Sequence, residues 1–71
     1  MNDRTRQLLA DGLLRIEEAE AFSGLGRSTL YKYMDDGLLP YVKLGRSRRI
    51  PKQALIELMA QHMRGGDRNG R

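Results

Sequence analysis

Apolar positions recur at helical spacing twice in the first half of the chain. Ile16, Ala19 and Phe22 fall three apart, with Leu25 just beyond, so residues 16–23 predict a short helix. Glu17 and Glu18 stand in its first turn, where the helix dipole favours negative charge. Gly24 and Gly26 stop it. A second helix is predicted from about Arg27 to Asp36, with Gly26 as a permitted N-cap. Leu30, Tyr33 and Met34 make its inward face, while Arg27, Ser28, Tyr31 and Lys32 project from the other side. Ser28 and Thr29 can use their hydroxyls in the first turn. Gly37 ends the helix as a residue able to take positive φ. Two helices joined by a short turn that contains Gly are a helix-turn-helix.

After Pro40 the period drops to two. Tyr41-Val42-Lys43-Leu44 alternates, with Val42 and Leu44 on one face. Gly45-Arg46-Ser47 signals a turn, and Arg48-Arg49-Ile50 resumes the strand, giving a small hairpin with a basic tip. Pro51 suits the first position of a further helix, 51–63, with Leu55, Leu58, Met59 and His62 on one stripe. Ile56, Ala60 and Met63 form a second apolar edge on it. Two readings fit residues 1–12. Asn2 or Asp3 caps a short helix that carries Leu8 and Leu9 and stops at Gly12, or the segment is a frayed arm. The expected organisation is an N-terminal arm over 1–12, loose or partly helical, a domain over 13–63, and a flexible Gly-rich tail over 64–71. The fold class is mainly α with a small β-hairpin wing.

Charge sharpens this picture more than length does. The 71 residues carry 13 Lys and Arg against 9 Asp and Glu, and a pI near 10. A single domain with a pI above about 9 has the electrostatic footprint of a nucleic-acid binder. Residues 1–26 hold three basic and five acidic groups, a net of −2. Residues 27–52 hold seven and two, a net of +5, and the remainder is +1. The run from Lys43 to Lys52 has five positive groups and no acid. Other chemistry is scarce. With no Cys and one His, neither a disulfide framework nor a Cys-based zinc site is available. No nucleophile and base stand at a usable spacing, so no catalytic, cofactor or metal residue is assigned and an enzyme is not expected. His62 reads as a packing or surface residue. No apolar run spans a membrane, and MNDRTRQLLADG lacks the apolar core of a signal peptide, so the cytoplasm is the expected location.

The segment from Leu13 to about Ala60 resembles the excisionase and AlpA-type family of small winged helix-turn-helix proteins, relatives of the MerR DNA-binding domain. Four pieces in order carry the resemblance. An apolar pair leads into Glu17-Glu18-Ala19. Ser28-Thr29-Leu30-Tyr31 starts a helix. Gly37-Leu38-Leu39-Pro40 ends it. Val42-Lys43-Leu44-Gly45-Arg46 makes a strand and wing turn, followed by a basic strand and an Ala54-Leu55 helix. There are departures. Arg15 stands where the family commonly has a Thr or Ser cap, and Gly26 where Ser is usual. Arg48 occupies a wing position that is aromatic in many members.

The resemblance implies a bacterial or phage-encoded protein that binds double-stranded DNA. The second helix of a helix-turn-helix enters the major groove N-terminus first. The candidate groove contacts are therefore Arg27, Ser28, Thr29, Tyr31 and Lys32. The wing candidates are Lys43, Arg46, Ser47 and Arg48, with Arg46 suited to a narrow minor groove and Lys43 and Arg48 to phosphates. Neutralising about five phosphates predicts a log–log salt slope near −4 to −5. Arg49 and Lys52 read as solvated charges. Three functions share these residues. One is an excisionase or recombination directionality factor that binds and bends attachment-site DNA and assists an integrase, with cooperative self-association on DNA. The second is a small AlpA- or MerR-like transcription regulator at a promoter. The third is a protein-interaction module using the 56–63 edge. No membrane and no small-molecule substrate are expected.

Overall fold

The computed structural model describes residues 1–65. In chain order it contains α1 (Asp3–Leu9), β1 (Leu13–Leu14), α2 (Ile16–Ser23), α3 (Arg27–Asp35), β2 (Val42–Leu44), β3 (Ser47–Pro51) and α4 (Lys52–Gln61). The three strands form one antiparallel sheet in the order β1-β3-β2. The chain is a winged helix-turn-helix: α2 and α3 are the helix pair, and β2–β3 is the wing.

The helix pair forms from local signals. Arg15 is the α2 N-cap, and a guanidinium has no acceptor for the helix donors. Glu18 supplies half of a capping box instead, its Oε1 accepting from the Arg15 N–H at 2.8 Å. The turn closes through Ser23, whose hydroxyl donates to Ala19 O at 2.7 Å and accepts from Leu25 N–H at 3.1 Å. Gly37, at φ +79°, ends α3 in a Schellman motif. Its N–H donates to Met34 O at 3.1 Å, and the N–H of Leu38 donates to Tyr33 O at 2.9 Å. A side chain at that φ is disfavoured, which is why Gly stands there.

The core is one cluster: Ala19, Leu30, Met34, Leu39, Ile50, Ala54, Leu55 and Leu58. α3 and α4 give residues three or four apart, as an amphipathic stripe does, while α2 gives Ala19, with Ile16 partly buried beside it. Leu30 and Leu55 expose nothing, so α3 and α4 are pinned to the same centre. Tyr33 packs at its edge, half-buried.

Several expectations change. Leu13 and Leu14 are a third strand, paired with Pro51 and Ile50, where only a hairpin was expected. Pro51 is the last residue of β3 and the N-cap of α4, not its first helical residue, and α4 ends at Gln61 rather than 63. Pro lacks an N–H, so a strand end costs it little. Phe22 is exposed rather than inward, and its ring centre lies 5.3 Å from the ammonium of Lys52. Val42 and Leu44 do share a face, but it points away from the core. Ile50 faces inward, and Arg49 and Ser47, the partners of Val42 and Leu44, alternate with it. Met59 and His62, expected on the packed stripe of α4, are exposed. His62 turns back so that Nδ1 lies 2.9 Å from Leu58 O. Of the edge proposed for a partner, Ile56 is half-buried, and Ala60 and Met63 are exposed. The tail expectation lies mostly on residues 66–71, outside those described.

The arm is helical. Asn2 caps α1, its Oδ1 accepting from Thr5 N–H at 2.7 Å. Arg4 then grips Glu57 of α4 with two parallel hydrogen bonds of 2.7 and 2.9 Å. The hydrogen bond from Arg4, with its charge, holds the Glu57 carboxyl below its usual pKa against a smaller opposing effect of burial. The same bond raises the pKa of Arg4. A carboxylate with a depressed folded pKa stabilises the bound form above its unfolded value, about 4.3, and loses that contribution as pH falls. The protection of α1 amides against hydrogen exchange, corrected for intrinsic rates, is therefore expected to stay level from neutral pH to about 5 and to fall below about pH 4.3. Glu57→Gln should give weaker protection with no such step. A step surviving in that variant means another group controls α1.

Candidate nucleic-acid interface

Winged helix-turn-helix geometry brings the N-terminus of α3 and the wing to one side of the molecule. Between them lies an open hollow of about 550 Å³, lined by Arg15, Ile16, Glu17, Arg27, Tyr31, Arg46, Ser47, Arg48 and Arg49. Five of these nine residues are arginines and one is an acid. Like charges collected around one concavity raise its potential and attract anions.

Each arginine arrives by a different route. Arg15 caps α2. Arg27 opens α3, and its guanidinium lies 3.5 Å from Glu17 and 3.8 Å from Glu20. Arg46 is the second residue of a two-residue hairpin loop, since Leu44 pairs with Ser47 across it. Gly45 precedes it at φ +63°, and only this loop residue has positive φ, the pattern of a II′ turn. Among the described residues Arg46 has no ion-pair partner and is exposed. Arg49 is half-buried and reaches the Arg48 carbonyl at 3.5 Å.

Of the residues singled out from sequence, Arg27, Tyr31, Arg46, Ser47 and Arg48 meet around the hollow. Ser28, Thr29, Lys32 and Lys43 do not. Ser28 and Thr29 are exposed on the first turn of α3, where no side chain caps the helix. Lys32 pairs with Asp36 at 3.3 Å. Lys43 is exposed on β2, opposite Arg48. Arg48, expected at a phosphate, lines the hollow but also has partners within the protein. It shares the inward face of β3 with Ile50, and its guanidinium is already engaged by Tyr31, Tyr41 and Asp35.

Arg15 and Arg49 lie at the hollow although sequence reasoning left them out of the site. The signal for Arg49 was present: once Ile50 is placed inward, period two turns Arg49 outward. Arg15 gave a weaker one, a helix cap that cannot cap. Glu17 is the acid of the hollow and a partner of Arg27. Glu17→Gln is expected to raise affinity for duplex DNA about three- to tenfold at low salt, because it removes a charge that repels phosphate and leaves Arg27 with Glu20 as its remaining carboxylate. Unchanged binding, measured by fluorescence anisotropy, would place the DNA away from the hollow.

Fold and charge together define a winged helix-turn-helix DNA-binding domain. A family model described as a helix-turn-helix domain matches residues 13–63, and the chain belongs to this family. A curated relative from Saccharopolyspora erythraea, described as "Probable excisionase", is 41% identical over 49 residues, covering 69% of this chain and 50% of the relative. The chain thus spans about half the length of that relative. No solved structure gives a significant match. No helix among the described residues is long and apolar enough to cross a membrane.

Proposed function

We propose that the protein is an accessory factor of site-specific recombination, an excisionase or recombination directionality factor. It binds attachment-site DNA, bends it and assists an integrase. The observation that carries the DNA contact is the hollow where Arg15, Arg27, Arg46 and Arg49 converge between α3 and the wing. The recombination role draws support from the relative described as a probable excisionase. In this reading α3 enters the major groove with Ser28, Thr29 and the Tyr31 hydroxyl toward base edges. Arg27 and Lys32 exchange their carboxylate partners for phosphates. Arg46 and Ser47 follow the backbone into the neighbouring minor groove.

Selection of bound fragments from sheared genomic DNA tests both levels. Enrichment of several neighbouring sites beside an integrase attachment core is the expected result. Enrichment of a lone promoter site would overturn the recombination role in favour of a transcription regulator. No enrichment over bulk DNA would overturn sequence-specific binding altogether.

A further inference from the structure

Arg48 differs from the other arginines of the wing. Its guanidinium carbon lies 4.5 Å from the centre of the Tyr41 ring and 5.1 Å from that of Tyr31. Its Nη1 donates to Asp35 Oδ1 at 3.3 Å. Tyr31 and Asp35 are one turn apart on α3, and Tyr41 leads into β2. One side chain therefore touches the recognition helix twice and the wing once, and it is 27% exposed. A planar guanidinium can lie against aromatic rings while its edge donates to a carboxylate, which a lysine cannot do equally well.

The wing needs such a contact. Beyond β1 it is a two-stranded ribbon, and two strands alone are marginally stable in water. Leu44, the apolar residue nearest the tip, is 54% exposed on the opposite face and gives no packing against α3. Lys43, opposite Arg48, is exposed too.

We infer that Arg48 is a positioning residue, which fixes the wing against α3 and acts on DNA affinity through Arg46 and Ser47. The inference rests on the DNA-binding reading above. A wing held in place before binding loses less freedom on binding. Unlike Lys32, which meets Asp36 alone, Arg48 is held by two rings as well as by Asp35, so it stays with them on binding, releases no counterion from DNA and contributes nothing to the salt slope.

The test compares Arg48→Ala and Arg48→Phe with the parent protein. Each is titrated with a fluorescent 25-base-pair duplex of mixed sequence over a range of salt. Amide exchange across residues 43–47 is measured on the free proteins, with thermal melting as a check on folding. A phenyl ring keeps the stacking on Tyr31 and Tyr41 without the charge. Arg48→Phe is therefore expected to keep wing protection, an unchanged slope and an affinity within about threefold of the parent. Arg48→Ala is expected to lose wing protection and about tenfold in affinity, again with an unchanged slope. The inference is overturned if both variants lose affinity alike, shallow the slope by about one unit and leave free wing exchange unchanged, the signature of a phosphate contact. If Arg48→Ala melts below the assay temperature, Arg48→Phe decides by its slope and wing exchange. A parent protein that binds no duplex would remove the DNA reading, while wing exchange in the free variants would still decide whether Arg48 holds the wing.

Discussion

Leu30→Ala is expected to leave the protein mostly unfolded at 37 °C. Leu30 is wholly buried at the centre of α3, within the cluster that joins α2, α3, β3 and α4. Truncating a buried Leu to Ala costs about 2–5 kcal/mol, from lost transfer energy and the cavity left behind. A domain of this size has little to lose, with a single small core rarely supplying more than about 3–5 kcal/mol. There is no second cluster of buried residues among those described to hold α3 in place. Urea denaturation followed by circular dichroism measures the effect. The expected result is a sloping baseline or a midpoint close to zero denaturant. A cooperative transition within about 1 kcal/mol of the parent would mean that the site collapses around the smaller side chain. DNA affinity should fall in proportion to the folded fraction, because the solvent face of the same helix carries Ser28, Thr29 and Lys32.

Arg46→Ala is expected to give the largest loss of DNA affinity with no loss of stability. Arg46 touches no acid among the described residues, and it stands at the tip of a tight loop. Its charge is free to displace a counterion. Each phosphate neutralised contributes about 0.9 to the log–log slope, so one lost contact should cost about eightfold at 0.1 M salt and about twentyfold at 0.03 M. The loss should be similar for every DNA sequence if Arg46 lies on a phosphate. If it sits in the minor groove, the loss should be greatest on A-tract flanks, where the groove is narrow and most negative. Titrations at several salt concentrations on two flanking sequences separate these cases. An unchanged slope and affinity would take the wing tip out of the interface. Lys32→Ala provides the contrast, since Asp36 lies 3.3 Å from that ammonium and offsets part of its charge.

The helix-turn-helix was legible because its signals are local. Ile16 and Ala19, the glycines that flank the turn, and Leu30 and Met34 encode periodicity and stops within a few residues of one another. The wing was legible for the same reason, as alternation broken by Gly45. Phe22 kept the helical period yet ended exposed, because period does not say where the core ends. β1 was missed because two residues carry no readable pattern. Leu13 and Leu14 become a strand only when β3 presents Pro51 and Ile50 to them. The edge of the sheet thus depends on a partner far along the chain.

The candidate site divides along the same line. The positive charge of the central stretch, and its absence of acids from Lys43 to Lys52, could be counted from the residues alone. From the residues, Arg46 was expected in a minor groove, Arg48 on a phosphate and Arg49 in solvent. Strand alternation separates them, turning Arg48 inward and Arg49 outward, while the turn leaves Arg46 at the tip. The sequence by itself determined α2, α3 and α4, the turn between the first two, the hairpin and the region of positive field, since each rests on short-range spacing and composition. Only the tertiary structure decided which charges gather at the hollow and which meet partners within the protein. Arg15 reaches the hollow, and Arg48 reaches Tyr31 and Asp35, because β3 and α3 are both packed on α2, and contacts between residues distant in sequence are set by the whole core rather than by any local pattern.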